Sequence, residues 1–569
     1  MREMKPCSVG EYLAHRLEHA GVRHYFTVPG DFNLVLLDQL LKNPRLQLIG
    51  CCNELNAGYA AEGYARANGI GALVVTYSVG GLSALNAVAC AYAEDLPVIA
   101  ISGGINSDSV TDGHVIHHAL GEVRYDYQRQ IYAQVTAGAF AVRRLDDAPA
   151  TIDLAIATAL RRRKPVYLEI DCNLAGLEVP APTPRRLERG PRSDPAALAA
   201  AVAHAADLLA NATRPVLVAG PRIRPPETRA AFRKLADAAG YAVAIQPAAK
   251  GMFPEEHRAF AGLYWGPVSS PGVAALVESA DAYLFAGGLL SDYSTTGYSA
   301  LIDAKKLLLA GPEDVRLPGA RYTGVALADF LAGLAEKVRP NPASLDQFRV
   351  AASGTTVVMN GADPSAPLTT QSVFAKVQSV LGSQSALLVE TGDSWFNGLK
   401  LRLPRECRFE IQFQAGSIGW CCPAALGYGL GSPTPTRVVA MIGDGSFQLT
   451  AQEVSTMVRY GVKPVIVLLN NRGYTIEAEI HDGPYNKIKN WDYAGLMEVF
   501  NAGEGNGLGL HAKTVGEFDA AMDRALGHDG PCLIEVPIDP HDCSRELREW
   551  GSRVAVANGR APRLTDLRV

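Results

Sequence analysis

What most constrains this chain is a rhythm carried through three blocks: short β-branched or aliphatic runs, each followed by a helical stretch. In the first block the strand-like runs His24–Val28, Leu46–Ile49, Ala72–Tyr77 and Pro97–Ser102 are interleaved with helical sequence at Leu34–Leu41, Glu54–Ala67 and from Leu82 onward. Strands separated by helices pair in parallel through crossovers, which implies a sheet with helices on both faces. The rhythm resumes at Pro215–Ala219, Ala242–Ile245, Ala282–Phe285 and Lys306–Leu309, and again at Ala386–Glu390, Arg437–Ile442 and Pro464–Leu469. Breaker-rich stretches, Val179–Pro195 and Arg339–Pro367, separate the blocks and read as linkers. The expectation is an α/β chain of three doubly wound parallel-sheet domains in series, over 1–185, 195–340 and 365–569. A length of 569 residues accommodates that number.

Local signals sharpen some boundaries. Ser8 is placed to cap a helix running past Leu17 to Ala20, with Gly21 as its left-handed stop. Asn53 is placed to cap the helix beginning at Glu54.

Charge excludes two function classes. Lys and Arg number 53 against 58 Asp and Glu, a net charge of −5, so no basic excess exists to neutralise a phosphate backbone or seek an anionic membrane. No apolar run reaches the length of a bilayer span, and the N-terminus lacks a signal-peptide core, which predicts a cytoplasmic protein. The ten cysteines contain no Cys-x-x-Cys; the adjacent pairs Cys51-Cys52 and Cys421-Cys422 suit buried thiols.

The strongest chemical signal is Gly443-Asp444-Gly445-Ser446 at the end of one predicted strand, with Asn470-Asn471-Arg472-Gly473 ending the next. Asn471 follows Asp444 by 27 positions, room for one helix, which Thr450 and Glu453 are spaced to open as a capping box. Ends of parallel strands share one edge of a sheet, the edge where ligands bind. There Asp444 offers a carboxylate, Asn471 an amide oxygen and Gly473 a carbonyl: hard oxygens of the kind Mg²⁺ takes, with phosphate oxygens and water completing six. Gly443, Gly445 and Ser446 allow close approach of backbone N–H groups to phosphate. Alone, Gly-Asp-Gly is only what a tight turn requires; the Asn-Asn and Gly at the next strand end make it a site.

This pattern resembles the diphosphate motif of the thiamine-diphosphate enzymes. Val28-Pro-Gly-Asp-Phe-Asn33, Asn53-Glu-Leu-Asn56, Tyr77-Ser-Val-Gly80, His117-His118, Glu390-Thr-Gly-Asp-Ser-Trp-Phe-Asn397 and Tyr474-Thr-Ile-Glu477 follow in that family's order. The runs Ile480–Asn486 and Asn490–Ala494 resemble its 2-keto acid decarboxylases, in particular pyruvate decarboxylases of the bacterial type. The resemblance implies thiamine diphosphate and Mg²⁺ as cofactors. It implies decarboxylation of pyruvate to acetaldehyde and CO₂ without oxidation, through an ylide and an enamine. Glu54 would face N1′ of the aminopyrimidine and Ile418 would prop the cofactor rings apart. Thr391, Asp393, Gly416 and Ser417 would lie near the diphosphate or aminopyrimidine, and Tyr474, Thr475 and Ile476 at the end of the motif.

By the same resemblance Asp31, His117, His118 and Glu477 carry the proton transfers, while Tyr293, Thr391, Trp395, Ile476 and Ile480 surround the substrate. Bulky, stiff side chains there leave room for methyl rather than aryl, so pyruvate is expected over phenylpyruvate or indolepyruvate. In this family the Glu54 position and the Gly-Asp-Gly motif come from different subunits, implying at least a homodimer, commonly a tetramer built as a dimer of dimers. Three alternatives remain open at this level: a decarboxylase of a larger 2-keto acid, an acetohydroxyacid synthase carrying FAD, and a non-catalytic protein of the same architecture.

Overall fold

The computed structural model describes residues 6–183, 187, 189–352 and 363–559. Parts of both predicted linkers, 184–186, 188 and 353–362, lie outside the described residues, as does the proposed domain limit at 185.

Each block forms its own sheet. The first has six parallel strands; in spatial order they are Gln47–Gly50, His24–Thr27, Gly71–Val75, Val98–Gly104, Val166–Asp171 and Ala139–Val142. The third also has six: Arg408–Ile411, Ser385–Val389, Arg437–Gly443, Val465–Asn470, Cys532–Pro537 and Leu508–His511. The central sheet has five parallel strands and then an antiparallel hairpin, Asp314–Leu317 with Ala320–Thr323, at one edge. That hairpin departs from the expected all-parallel order. Its turn at Pro318-Gly319 is short enough for antiparallel pairing and far too short for a crossover.

The capping signals at the first helices hold. Ser8 accepts from Glu11 N at 3.1 Å, Glu11 returns the bond to Ser8 N at 2.9 Å, and Gly21 sits at φ +95° just past the helix end. Thr450 and Glu453 behave otherwise. Asp444 itself begins a helix, Asp444–Thr450, and a second starts at Glu453 without a side-chain cap. Thr450 donates to Gly419 O at 2.7 Å. Glu453 is fully buried, accepting from Cys52 N at 3.2 Å and Asn56 Nδ2 at 2.8 Å. Tertiary partners have recruited both side chains away from the helix end. Among the paired cysteines, Cys421 and Cys422 are buried as expected, but Cys52 is exposed.

The third block is the hub. Its Phe396 stacks on Trp265 of the central block at 4.9 Å, and Trp550 closes the same aromatic group. Its helix Cys421–Gly431 packs along the first block's Glu54–Asn68 so closely that backbones touch. A Cβ on Gly427 would lie 1.8 Å from Ala60 O, and one on Gly63 would lie 2.3 Å from Ala424 O. One helix begins at Glu54 and the other is entered through Gly416–Trp420, so this crossing sets the spacing between two parts of the candidate site.

A charged group seals the crossing. Arg66, fully buried, bonds Glu62 at 2.8 Å, Glu94 at 3.1 Å and Glu410 at 3.2 Å, and its guanidinium lies 4.8 Å from the Trp420 ring. Burial raises the Glu62 pKa from 4.5 to about 7, despite Arg66 pulling it down. The folded chain therefore holds this proton more tightly than the unfolded chain. Its stabilising effect is complete below about 4.5 and disappears as pH rises through about 7.

Two outcomes follow. Gly427→Ala should lower stability by about 2–3 kcal/mol through backbone overpacking, seen as a reduced Tm. Glu62→Gln should flatten the part of the Tm–pH curve that falls between pH 4.5 and about 7, read by calorimetry.

Candidate active site

Strands Arg437–Gly443 and Val465–Asn470 pair in parallel with Gly443 opposite Leu469. The chain leaves both at the same sheet edge, which brings Asp444 and Asn471 side by side. The Asn471 side-chain oxygen lies 2.9 Å from Asp444 Oδ1 and 2.9 Å from Gly473 O, while Asn471 Nδ2 faces Thr475 Oγ1 at 2.7 Å. Three acceptors thus converge with no hydrogen between them. Octahedral Mg²⁺ holds its oxygens at about 2.0–2.1 Å, so neighbouring ligands stand about 2.9 Å apart. The spacing and the hard-oxygen chemistry both fit that ion. Rotating the amide by half a turn would instead let its NH₂ donate to Asp444 and Gly473, the arrangement suited to a site without a cation.

Asp444 is fully buried; Oδ1 accepts from Gly445 N at 2.9 Å, and Oδ2 has no partner among the described residues. Burial lifts its pKa to about 6, although backbone N–H groups pull it down. A buried carboxylate with a free oxygen is costly without a cation. Among the described residues a Cβ on Gly443 would meet nothing within 4 Å, so open space adjoins the backbone just before Asp444. Gly445 has a different reason: a Cβ there would strike the Tyr474 ring at 2.4 Å. Ser446 is buried just beyond.

A second wall is organised by Glu390, which had no role in the sequence reading. Fully buried at a strand end, its carboxylate accepts from Thr391 N and Cys421 N, each at 2.9 Å. One side chain therefore ties the Thr391–Asp393 turn to the Gly416–Trp420 turn. Thr391 Oγ1 is buried without a partner among the described residues. The Asp393 carboxylate is already committed: it accepts from Asn397 Nδ2 at 2.7 Å and from the backbone and hydroxyl of Ser544. Gly416 takes φ +59°, with Tyr293 and Trp395 closest to where a side chain would stand. Ser417 bonds the Tyr59 hydroxyl at 2.7 Å. Ile418 is only half-buried and joins none of the hydrophobic clusters, unlike an ordinary core isoleucine.

The predicted substrate-side residues form an aromatic corner. Tyr293 meets Trp395 edge-on at 6.0 Å; Trp395 is entirely buried, and its indole N–H has no partner among the described residues. Ile476 is buried in helix Thr475–Ile480, whose Ile480 is half-buried and whose Glu477 points to solvent. Burial raises the Tyr293 phenol pKa, and the charges of Asp292 and Glu477 add to it.

In the first block His117 Nε2 bonds Asp31, His118 Nε2 lies 3.5 Å from Asp31 Oδ1, and Phe32 stacks on His117 at 4.9 Å. Asp31, His117 and His118 are exposed. Glu54, at the start of its capped helix, lies close under the Gly80 backbone. Among the described residues neither Glu54 nor the Asp31 cluster bonds the Asp444 group. The structure assembles each set but does not join them within one chain.

Three family models match along the chain: the thiamine pyrophosphate enzyme N-terminal TPP-binding domain over residues 7–129, the central domain over 202–327, and the C-terminal TPP-binding domain over 394–536. The chain belongs to the thiamine pyrophosphate enzyme family. Within it the chain is 47% identical to a probable pyruvate decarboxylase of Schizosaccharomyces pombe, with 98% of each chain covered. It is 48% identical to pyruvate decarboxylase 3 of Arabidopsis thaliana (98% of this chain, 94% of that one) and to a pyruvate decarboxylase of Neurospora crassa (98% and 97%).

Thr475 Oγ1 anchors the outer end of the Asn471 amide in either orientation, a contact no motif announced. Thr475→Val should loosen the position of the amide and weaken Mg²⁺ binding about 10- to 100-fold, measured by titrating the metal-dependent uptake of thiamine diphosphate.

Proposed function

We propose that this chain decarboxylates pyruvate to acetaldehyde and CO₂, using thiamine diphosphate and Mg²⁺. The observation that carries the reading is the Asn471 side-chain oxygen lying 2.9 Å from both Asp444 Oδ1 and Gly473 O, in a chain about 48% identical to pyruvate decarboxylases along almost its whole length. Bound thiamine diphosphate supplies the electron sink that makes loss of CO₂ from a 2-keto acid feasible.

The chain's own residues do the rest. Asp444, Asn471 and Gly473 would hold Mg²⁺, and Gly443, Gly445 and Ser446 would stand against the diphosphate. Glu54 would hold a proton at N1′ of the aminopyrimidine, and Ile418 would stand against the cofactor rings. Asp31, His117, His118 and Glu477 deliver a proton to the reacting carbon and remove one from the product hydroxyl. Tyr293, Thr391, Trp395, Ile476 and Ile480 restrict the substrate side chain to about the size of a methyl group.

Loss of a carboxylate is favoured where water is excluded, yet Asp31, His117, His118 and Glu477 are exposed in a single chain. The same segments carry exposed apolar side chains: Val79, Val115, Leu120 and Val123 on the first block, Leu449 and Tyr485 on the third. Both features support a homodimer in which Glu54 of one copy meets Asp444 of the other, with dimers pairing into a tetramer of three-domain chains (1–185, 195–340, 365–569). No helix among the described residues is long and apolar enough to cross a membrane. A cytoplasmic location suits a chain whose ten cysteines are all thiols.

Pyruvate should yield CO₂ and acetaldehyde in equal amounts, only with both cofactors present, by coupled aldehyde assay and gas release; no aldehyde under those conditions would refute the reading. Glu54→Gln should lower kcat by about 10²–10⁴-fold with little change in Tm. Ile476→Ala should shift the kcat/KM ratio toward phenylpyruvate by about tenfold or more.

A further inference from the structure

A cavity of about 700 Å³ opens where the three blocks meet, far larger than packing defects and within the range of small-molecule sites. One side is the helix Pro226–Ala239 of the central block; the others are the Gly251–Glu256 loop and the Leu403–Glu410 segment. Its lining is strongly cationic. Arg66, Arg224 and Lys250 are satisfied by carboxylates: Arg66 and Arg224 share Glu410, and Lys250 pairs with Glu255 at 2.8 Å.

Arg229, Arg233, Arg405 and Arg408 also line the cavity, and none has an ion-pair partner among the described residues. Only Glu256 and Glu406 of the lining are likewise unpaired, so four guanidinium groups face two carboxylates, an excess of two positive charges. Arg229 lies within electrostatic reach of Arg224 and Arg408 as well as of Glu410 and Tyr428, and the guanidinium groups crowded there favour an entering anion. Apolar surface from Met252, Phe253, Leu403 and Phe409 completes the walls.

An excess of two charges matches a phosphate monoester, which carries about −2 at pH 7, and arginine forks suit phosphate oxygens. The apolar walls suit an organic body. We propose that this cleft binds a phosphate monoester with an apolar or aromatic body, and that its occupancy is felt at the Gly416–Ile418 turn.

The second part rests on an unbroken series of hydrogen bonds. Arg224 Nη1 grips both oxygens of Glu410 at 2.9 and 2.8 Å, and Glu410 bonds Arg66. Arg66 bonds Glu62 at 2.8 Å, Glu62 accepts from Gln412 Nε2 at 2.8 Å, and Gln412 Oε1 accepts from Ser417 N at 2.9 Å. A phosphate competing with Glu410 for Arg224 would relax that series at its outer end. Its inner end is the backbone on which Ile418 is mounted. This inference goes beyond the proposed reaction; binding can be measured whatever the chain catalyses.

The test is calorimetric titration of the cofactor-loaded enzyme with phenyl phosphate at fixed ionic strength, alongside inorganic phosphate and KCl. Saturable binding is expected at one site per chain, weakened about tenfold or more in the Arg229→Ser/Arg233→Ser double variant. That variant should turn over pyruvate normally without ligand. Phenyl phosphate should change KM for pyruvate in the native enzyme and leave the double variant unaffected. Absent saturation, equal binding by the variant, or the same effect from KCl would overturn the site. Inorganic phosphate binding as tightly would remove the organic body from the proposal, and binding without a KM change would remove the coupling. Shielding of Arg229 and Arg233 from phenylglyoxal in the ligand-free holoenzyme would assign the cleft to a contact between copies and refute it.

Discussion

Helices Glu54–Asn68 and Cys421–Gly431 touch backbone to backbone, and much else depends on that contact. Glycine at 63 and 427 lets Ala424 and Ala60 carbonyls occupy space that side chains would otherwise fill. Packing this tight leaves the crossing almost no freedom to slide, because interiors resist changes of even one methylene. The first block's acid-bearing helix and the third block's Gly416–Trp420 turn are therefore held at a fixed separation. Arg66 and its three glutamates lock the same crossing electrostatically; removing Arg66 would strand buried carboxylates.

From that frame the metal-type site needs little further construction. Two adjacent parallel strands end together, and the side chains just beyond them must emerge together. The finer geometry is a matter of one amide. With its oxygen inward, Asn471 presents a hard acceptor beside those of Asp444 and Gly473; turned over, it satisfies the same neighbours by donating hydrogen bonds. Thr475, one helical turn on, can partner either end of the amide through its hydroxyl. Buried polar atoms at Asp444 Oδ2, Thr391 Oγ1 and Trp395 Nε1 lie among the residues assigned to cofactor and substrate. A protein that leaves such atoms unpaired spends stability there, as functional sites commonly do.

Much of this was legible beforehand because the relevant physics is local. Alternating strand and helix patterns state a doubly wound sheet whatever the surroundings. Ser8 and Asn53 cap their helices with bonds to residues three positions on. Misjudged signals were those for which a distant partner competed. Thr450 and Glu453 have the spacing of a capping box, but Gly419, Cys52 and Asn56 offered buried partners that outweighed it. Glu390 and Gln412 were invisible as site-organising residues, because their importance lies in the two segments each one joins.

The sequence by itself determined the layered α/β architecture, the strand-end placement of Asp444 and Asn471, and the chemistry those oxygens can support; periodicity and the chirality of crossovers leave few other arrangements. Only the tertiary structure decided how the three sheets face one another, which carboxylates became buried clamps, and that a cationic cleft opens at their junction. Those outcomes depend on contacts between residues hundreds of positions apart, as Arg66 with Glu410 shows. No local pattern records which distant side chain will arrive to satisfy a buried charge.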